Sequence, residues 1–348
     1  VGMEFDQRTN SFFSINAAGL WTRMRQIAND HTRQLDLSNP IENPLFSGLV
    51  PYYYYNYLYE QNKQTQFSEK LLEKLGLPKN YTGFVNTDAL DPATLTLDMF
   101  SAEDLLGNTD ASNLISYSGY SHDGVRQKGS KTDMNSFLNS KDANGRNLFP
   151  IGSFRPIYAS AYVMDKFDFK DMKFLVGLRV DRFDANQQVL KDKYALHELA
   201  RVGDLASLEN LPAGFRDNIP ASISKDAAVY VAQNPSGGKS PLSIRGYREG
   251  DKWFNAEGAE ISDPSLIASS DSRPVPLYKD NANYDSRVSA KAFTDYVAAI
   301  NPQPRLAFSF PISDVANFFA HYDVLIQRPF NLQLSPLDYY YMNASSTT

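Results

Sequence analysis

The sequence predicts an all-β fold with helical insertions, forming part of an antiparallel transmembrane β-barrel with long extracellular loops. Two observations carry this expectation. The first is the stretch Arg155 to Phe183, RPIYASAYVMDKFDFKDMKFLVGLRVDRF, which reads as two strands joined by a tight turn. Side chains alternate across a strand, so Met172, Phe174, Val176, Leu178 and Val180 share one face while Lys173, Gly177, Arg179 and Asp181 share the other. A sandwich core needs the charged face only to be solvated. A transmembrane barrel needs it to line a polar lumen, with the apolar face on lipid. The second observation is spacing: short turns join the strands of each hairpin, and long insertions separate the hairpins. Bacterial outer-membrane barrels show that asymmetry between periplasmic turns and extracellular loops.

Composition narrows the alternatives. The 348 residues carry a formal net charge of -6 and no dense Lys/Arg run, so the footprint of a nucleic-acid binder is missing. With no cysteine there is no disulfide, thiolate zinc site or cysteine nucleophile. Aromatic residues make up 13% of the chain, which suits interfacial girdles, a ligand-contacting surface or simply a β-rich protein. No run approaches the roughly 18 apolar residues of a membrane helix, whereas barrel strands give a much weaker hydropathy signal. Val1 opens in what reads as mid-strand with no Met before it, so the chain is read as an excerpt of a longer polypeptide.

Taken in order, residues 1–9 form a barrel strand, with Val1, Met3 and Phe5 on one side and Glu4, Asp6 and Arg8 on the other. Residues 10–154 form an extracellular insertion with short helices. In it, Leu20, Met24 and Ile27 recur at helical spacing. Ser68 is read as the N-cap of a second helix ending at Gly76 and Pro78, and Ser101 with Asp104 as the capping box of a third, closed by Gly107. Residues 155–183 are the first hairpin. Residues 184–303 are a second extracellular insertion with a helix-like piece at 195–202 and a hairpin turning at Glu249-Gly250-Asp251. Residues 304–327 are the second barrel hairpin, turning at Pro311 to Asp314. Leu306, Phe308 and Phe310, then Phe318, Tyr322 and Val324, alternate there with polar residues including His321 and Asp323. Residues 328–348 begin a further loop. Together with the Met172–Val180 row, these apolar residues are the expected lipid-facing set. Tyr158, Tyr162, Phe167, Phe169 and Phe183 are expected to border it as a girdle.

Catalytic patterns are missing. His31, His122, His197 and His321 include no pair at helical metal spacing, so a helical zinc motif is excluded. Gly237-Gly238-Lys239-Ser240 ends like a phosphate loop, but Gln233 stands where the first glycine belongs. Asp142, Asn144 and Gly145 resemble part of a calcium loop, yet Ser140 and Ile151 fill its first and last ligand positions, so a turn is the stronger reading. No enzyme, no cofactor and no metal are expected.

Several stretches carry a resemblance. They are NAAGLWTRMRQIAND, DMFSAEDLLG, IGSFRPIYASAYVMDKFDFKDMKFLVGLRVDRFDANQQVLKD, GYREGDKWFNAEGAEISDPS and PRLAFSFPISDVANFFAHYDVLIQRPF. In this order they resemble part of a large TonB-dependent outer-membrane receptor, of the kind with an N-terminal carboxypeptidase-regulatory-like domain. The resemblance implies a parent with a 22-stranded barrel and a plug, and import of a bound nutrient powered through a TonB-type periplasmic partner. This chain holds about five candidate strands, no plug and no TonB box, so transport would belong to the parent. The implied surroundings are outer-membrane lipid, an unidentified small-molecule, glycan or peptide ligand, and a surface lipoprotein as a further partner.

Tyr52, Tyr53, Tyr54, Tyr55, Tyr57, Trp253, Tyr339, Tyr340 and Tyr341 are the aromatic candidates for ligand contact, chosen by their density outside the strands. Two other readings stay open. One is a secreted β-rich module binding glycans or proteins, which needs a second sheet to bury the apolar strand faces. The other is a receptor subunit acting structurally in a larger outer-membrane assembly.

Overall fold

The computed structural model describes residues 1–43, 53–106, 114–127, 129, 131–209, 211–232, 243–268, 274–280, 288–328 and 334–345. With 35% strand and 21% helix, the chain is mostly β, and its sheets are antiparallel. It divides into two compact units, Val1–Gln187 with Tyr296–Pro336, and Gln188–Asp295 with Leu337–Thr348.

The first unit begins with β1 (Gly2–Gln7), β2 (Phe12–Ile15) and α1 (Ala17–Ile27). Asn16 caps α1 by accepting the Gly19 N–H at 3.0 Å. Then come β3 (Ile41–Glu42), β4 (Tyr53–Tyr54), α2 (Gln66–Lys74), α3 (Ala102–Leu106), β5 (Ile115–Ser118) and α4 (Met134–Asn139). The cap of α2 is Thr65 rather than Ser68. The Thr65 hydroxyl accepts the Ser68 N–H at 3.1 Å, which places Ser68 inside the first turn. At α3 the expected reciprocal pair forms: Ser101 N–H donates to the Asp104 carboxylate at 2.9 Å, and Asp104 N–H to the Ser101 hydroxyl at 3.0 Å. Gly107 lies outside the described residues. Met24, Ile27, Phe67, Leu71, Leu72, Met99, Phe100 and Leu105 are all buried, and Phe67 stacks on Phe100 at 4.5 Å.

The long strands follow. β6 (Ile157–Phe169) and β7 (Met172–Asp184) pair along their whole length, turning at Lys170, whose φ is 56°. In the second unit come β8 (Gln188–Leu190), β9 (Ala228–Ala232), β10 (Ile244–Glu249), β11 (Lys252–Asn255), β12 (Glu260–Ile261), β13 (Pro274–Pro276) and β14 (Phe293–Asp295). The chain re-enters the first unit for β15 (Ala299–Ser313) and β16 (Ala316–Asp323), and α5 (Pro336–Ser345) follows.

In the first unit the main sheet has the order β1-β6-β7-β15-β16, every neighbour antiparallel. The tight β6–β7 and β15–β16 turns fall at one end. The chain leaves for its two long insertions at the other. The five strands make an open sheet, with β1 and β16 at its edges. Two boundaries differ from the sequence reading. β15 runs on through Pro311, which pairs with Asn317 beside a register shift that absorbs the missing N–H, so the turn falls at Asp314–Val315. β16 stops at Asp323, because the facing residues Pro304 and Pro302 offer no N–H donor. Val324 thus stands just past the strand, attached through its N–H to the Pro304 carbonyl at 3.1 Å.

The second unit holds a five-stranded sheet of order β12-β11-β10-β9-β13. Its centre, β9, is AVYVA and is buried at every residue. Val229 and Val231 pack with Phe215, Ile223, Tyr247 and Leu277; Ala228 and Tyr230 pack with Leu199 and Ile267. The second insertion is therefore a folded body with its own core. The expected helix at 195–202 does not form. The Ala200 N–H donates to the Leu277 carbonyl at 2.8 Å, and Ala200's carbonyl accepts the Val229 N–H at 3.1 Å, so strand pairing overrides local propensity. The tail expected as a loop carries α5, and the Gly/Ser/Pro stretch at 234–241 lies outside the described residues.

Candidate functional site

Directly paired residues share a face, so the register assigns both surfaces of the main sheet. One face carries Met3 and Phe5 from β1; Ala161, Val163, Phe167 and Phe169 from β6; Met172, Phe174, Val176, Leu178 and Val180 from β7. Leu306, Phe308 and Phe310 from β15 continue it, with Phe318, Ala320 and Tyr322 from β16. Its phenylalanines form a ribbon across the strands near the turns. Phe167 stacks on Phe174 at 5.3 Å, Phe174 on Phe308 at 6.4 Å, and Phe318 meets Phe308 at 5.8 Å and Phe310 at 5.1 Å. This face is open: Met3 is 88% exposed, Phe5 69% and Tyr322 60%. Asp165, opposite Val176, interrupts it.

The opposite face carries the charged and hydroxyl side chains along with Met164, Leu175 and Phe319, and its buried residues lie toward the end where the insertions leave. The Arg179 guanidinium donates to Asp181 at 2.6 Å, to the Tyr158 hydroxyl at 2.8 Å, to Ser160 at 3.1 Å and to Glu4 at 3.3 Å. Arg328 bonds Glu4 and lies over the Tyr158 ring at 3.5 Å. Asp181, Ser160 and Tyr158 are buried, and Gln303 beside Asp181 is only 3% exposed. Burying charges is tolerated when they are paired, as four bonds to one guanidinium achieve here. This arrangement corrects the girdle. Tyr158, Tyr162 and Phe183 alternate onto the polar face, since Tyr158 pairs with Asp6 and Phe183, and Tyr162 with Gly2 and Arg179. Phe167 and Phe169 alone keep the expected position.

The described aromatic candidates lie on separate elements. Tyr53 and Tyr54 form β4 and are exposed, as is Tyr57, while Tyr55 is half-buried; Tyr52 lies outside the described residues. Tyr339, Tyr340 and Tyr341 sit on α5, where Tyr339 packs edge-on against Phe293 at 5.0 Å and burial pushes the Tyr341 hydroxyl up to about 12. Asp142 accepts the Asn144 N–H at 2.8 Å and the Arg146 N–H at 2.9 Å, with Gly145 at φ 80°, so this loop is a turn held by its own backbone. Among the described residues no group of acidic and histidine side chains is placed to hold a metal. The 237–240 stretch lies outside them.

Trp253 belongs to a cluster the sequence did not reveal. Arg248, its side chain 3% exposed, pairs with Asp192 at 2.6 Å and donates to the Tyr230 hydroxyl at 3.1 Å and the Gly250 carbonyl at 2.7 Å. Its guanidinium lies 4.5 Å from the Tyr194 ring, 5.8 Å from Trp253 and 5.9 Å from Tyr230. Burial opposes its charge, but the Asp192 and Tyr230 hydrogen bonds prevail and hold its pKa above the ordinary arginine value. Trp253 is therefore one wall of a cage already filled by the protein's own cation. Its partners come from positions 192, 194 and 230, which no local motif connects. No protein-family model matches the chain, and no curated protein or solved structure matches it.

Proposed function

We propose that this chain is a segment of a TonB-dependent outer-membrane receptor: a stretch of barrel wall with two of its extracellular insertions. The observation that carries the reading is the inverted main sheet. Water-soluble sheets bury the apolar face and solvate the polar one. Here charges and hydroxyls are knitted together on the face that is buried toward the insertion end, and a row of phenylalanines and aliphatics lies open on the other. That is the arrangement a lipid-facing wall around a polar lumen requires. The topology supports it: a meander of neighbouring antiparallel strands, tight turns at one end, long insertions at the other, and two edges free to pair with further strands. In the parent these would close a barrel around a plug, and a TonB-type protein would reach that plug from the periplasm. The insertions would form the ligand-capturing surface, and a lipoprotein could cap it.

Separation of inner and outer membranes from cells making the full-length parent tests this, with gel migration compared before and after boiling. Outer-membrane recovery with heat-modifiable migration is expected. A soluble, secreted product would overturn the reading and leave the binding module in its place.

A further inference from the structure

Among the described residues of the main sheet's apolar face, Asp165 is the one charge between the hairpin turns and the Ala159–Arg182 pair. It stands at mid-height. The Phe167–Phe174 and Phe169–Met172 pairs lie on its turn side, and Val163–Leu178 and Ala161–Val180 on the other. Its direct neighbour on β7 is Val176, whose side chain offers no donor. The cations that flank this band are engaged elsewhere: Lys170 lies over the Phe169 ring at 5.7 Å, and Arg182 bonds Asp184 at 2.9 Å.

The outer side of the same stretch is open. β6 pairs with β1 only through Ile157–Tyr162, so Val163–Phe169 bond β7 on one side and, among the described residues, no strand on the other. In hydrocarbon every backbone N–H and C=O must be paired within protein, so a strand has to lie along this edge. A carboxylate at that depth likewise needs a counter-charge, because intramembrane acids pair with cations or face water. Residues directly opposite on adjacent strands share a face, so the strand on this edge is the element placed to supply one.

We infer that Val163–Phe169 pairs with a further strand of the barrel wall whose residue opposite Asp165 is lysine or arginine, closing an ion pair at mid-height on the apolar face. This pairing rests on the membrane reading and adds the chemistry of the neighbour that the edge takes. In a soluble sheet Asp165 would need no partner, since a charge on an open edge is solvated and discourages pairing.

The test uses the full-length parent in outer membranes, with the urea midpoint of its heat-modifiable band as the readout. Asp165→Leu is expected to lower the midpoint by leaving the cation unpaired, Asp165→Lys to lower it further, and Asp165→Glu to keep it near that of the unsubstituted protein. Reversing one lysine or arginine of another wall strand to glutamate should restore the Asp165→Lys variant, which identifies the partner. Val176→Arg should also lower the midpoint, because Asp165 has no free charge to offer it. A higher midpoint with Asp165→Leu or Val176→Arg would show an unpaired carboxylate and overturn the pairing while leaving the membrane reading intact. So would the failure of every reversal to restore Asp165→Lys, or a band that migrates as a dimer and dissociates with Asp165→Leu, which would give the edge to a second copy. A parent that yields no heat-modifiable band overturns the membrane reading itself, and the pairing falls with it.

Discussion

At the scale of single residues, His31 shows how burial writes a pH response into the first insertion. The ring is 1% exposed, lies edge-on to Tyr59 at 6.0 Å, and meets the Tyr81 carbonyl through Nε2 at 3.2 Å. That carbonyl can only accept, so Nε2 carries the proton of the neutral ring, and the buried Nδ1 has no partner. Desolvation lowers the pKa below 6.5, against the opposing pull of the Tyr81 carbonyl and Asp30. The folded state thus binds fewer protons than the unfolded one. Its stabilising contribution is complete above the unfolded value of about 6.5 and is lost as pH falls through the folded value. The Glu60 N–H, which donates to the His31 carbonyl at 2.9 Å, reports on this locally. Its exchange protection, corrected for intrinsic rate, is expected to fall between pH 7 and pH 5, and His31→Gln should remove that dependence. Equal pH dependence in the variant would place the titrating group elsewhere. Arg248 shows the complementary case, a buried charge that stays charged because every side of it is occupied.

At the scale of elements, the second unit depends on a close approach between β10 and β11. A Cβ on Gly246 would stand 2.4 Å from the Phe254 carbonyl oxygen, a backbone atom, at a position flanked by a register shift in the β9–β10 pairing. Gly246→Ala must therefore spread the hairpin. A loss of about 1–3 kcal/mol is expected, read from the urea midpoint of Trp253 fluorescence in a Trp21→Phe background. An unchanged midpoint would mean that the strands separate freely. The same comparison of strands explains what could be read in advance. The β6–β7 hairpin was legible because alternation persists through 13 residues on each side of a two-residue turn. The Ser101–Asp104 box was legible because each of its bonds spans three residues. The β9 strand was not, since AVYVA is buried on both faces and shows no period. Nor was the Arg248 cage, whose partners lie up to 56 residues away. Residues 195–202 have helical spacing but meet β9 and the Leu277 backbone, and sheet bonds win there.

At the scale of the whole molecule, the proposal turns on which face of the main sheet tolerates charge. Val176 and Ala307 lie at similar heights on adjacent strands, with Val176 opposite Leu306 and Ala307 opposite Leu175, and they point to opposite faces. If the apolar face lies against hydrocarbon, Val176→Arg places a cation near the middle of that layer and costs about 2–4 kcal/mol. Ala307→Arg places the same cation beside His321 and near Lys173, on the side where Arg179 is already held by acceptors. It is expected to change stability far less, because water or paired polar groups can solvate it there. Residual folded barrel in the outer membrane, measured as the heat-modifiable band of the full-length parent, should therefore fall with Val176→Arg and persist with Ala307→Arg. A secreted sandwich makes a different demand. There the apolar face would pack on a second sheet, so Val176→Arg would destabilise a soluble protein and no heat-modifiable band would appear in either variant. Equal tolerance at both positions would fit neither, since a face that accepts arginine freely is in contact with water. The pair thus separates lipid, protein and water as the neighbour of the face that carries the Phe167–Phe174–Phe308–Phe318 ribbon.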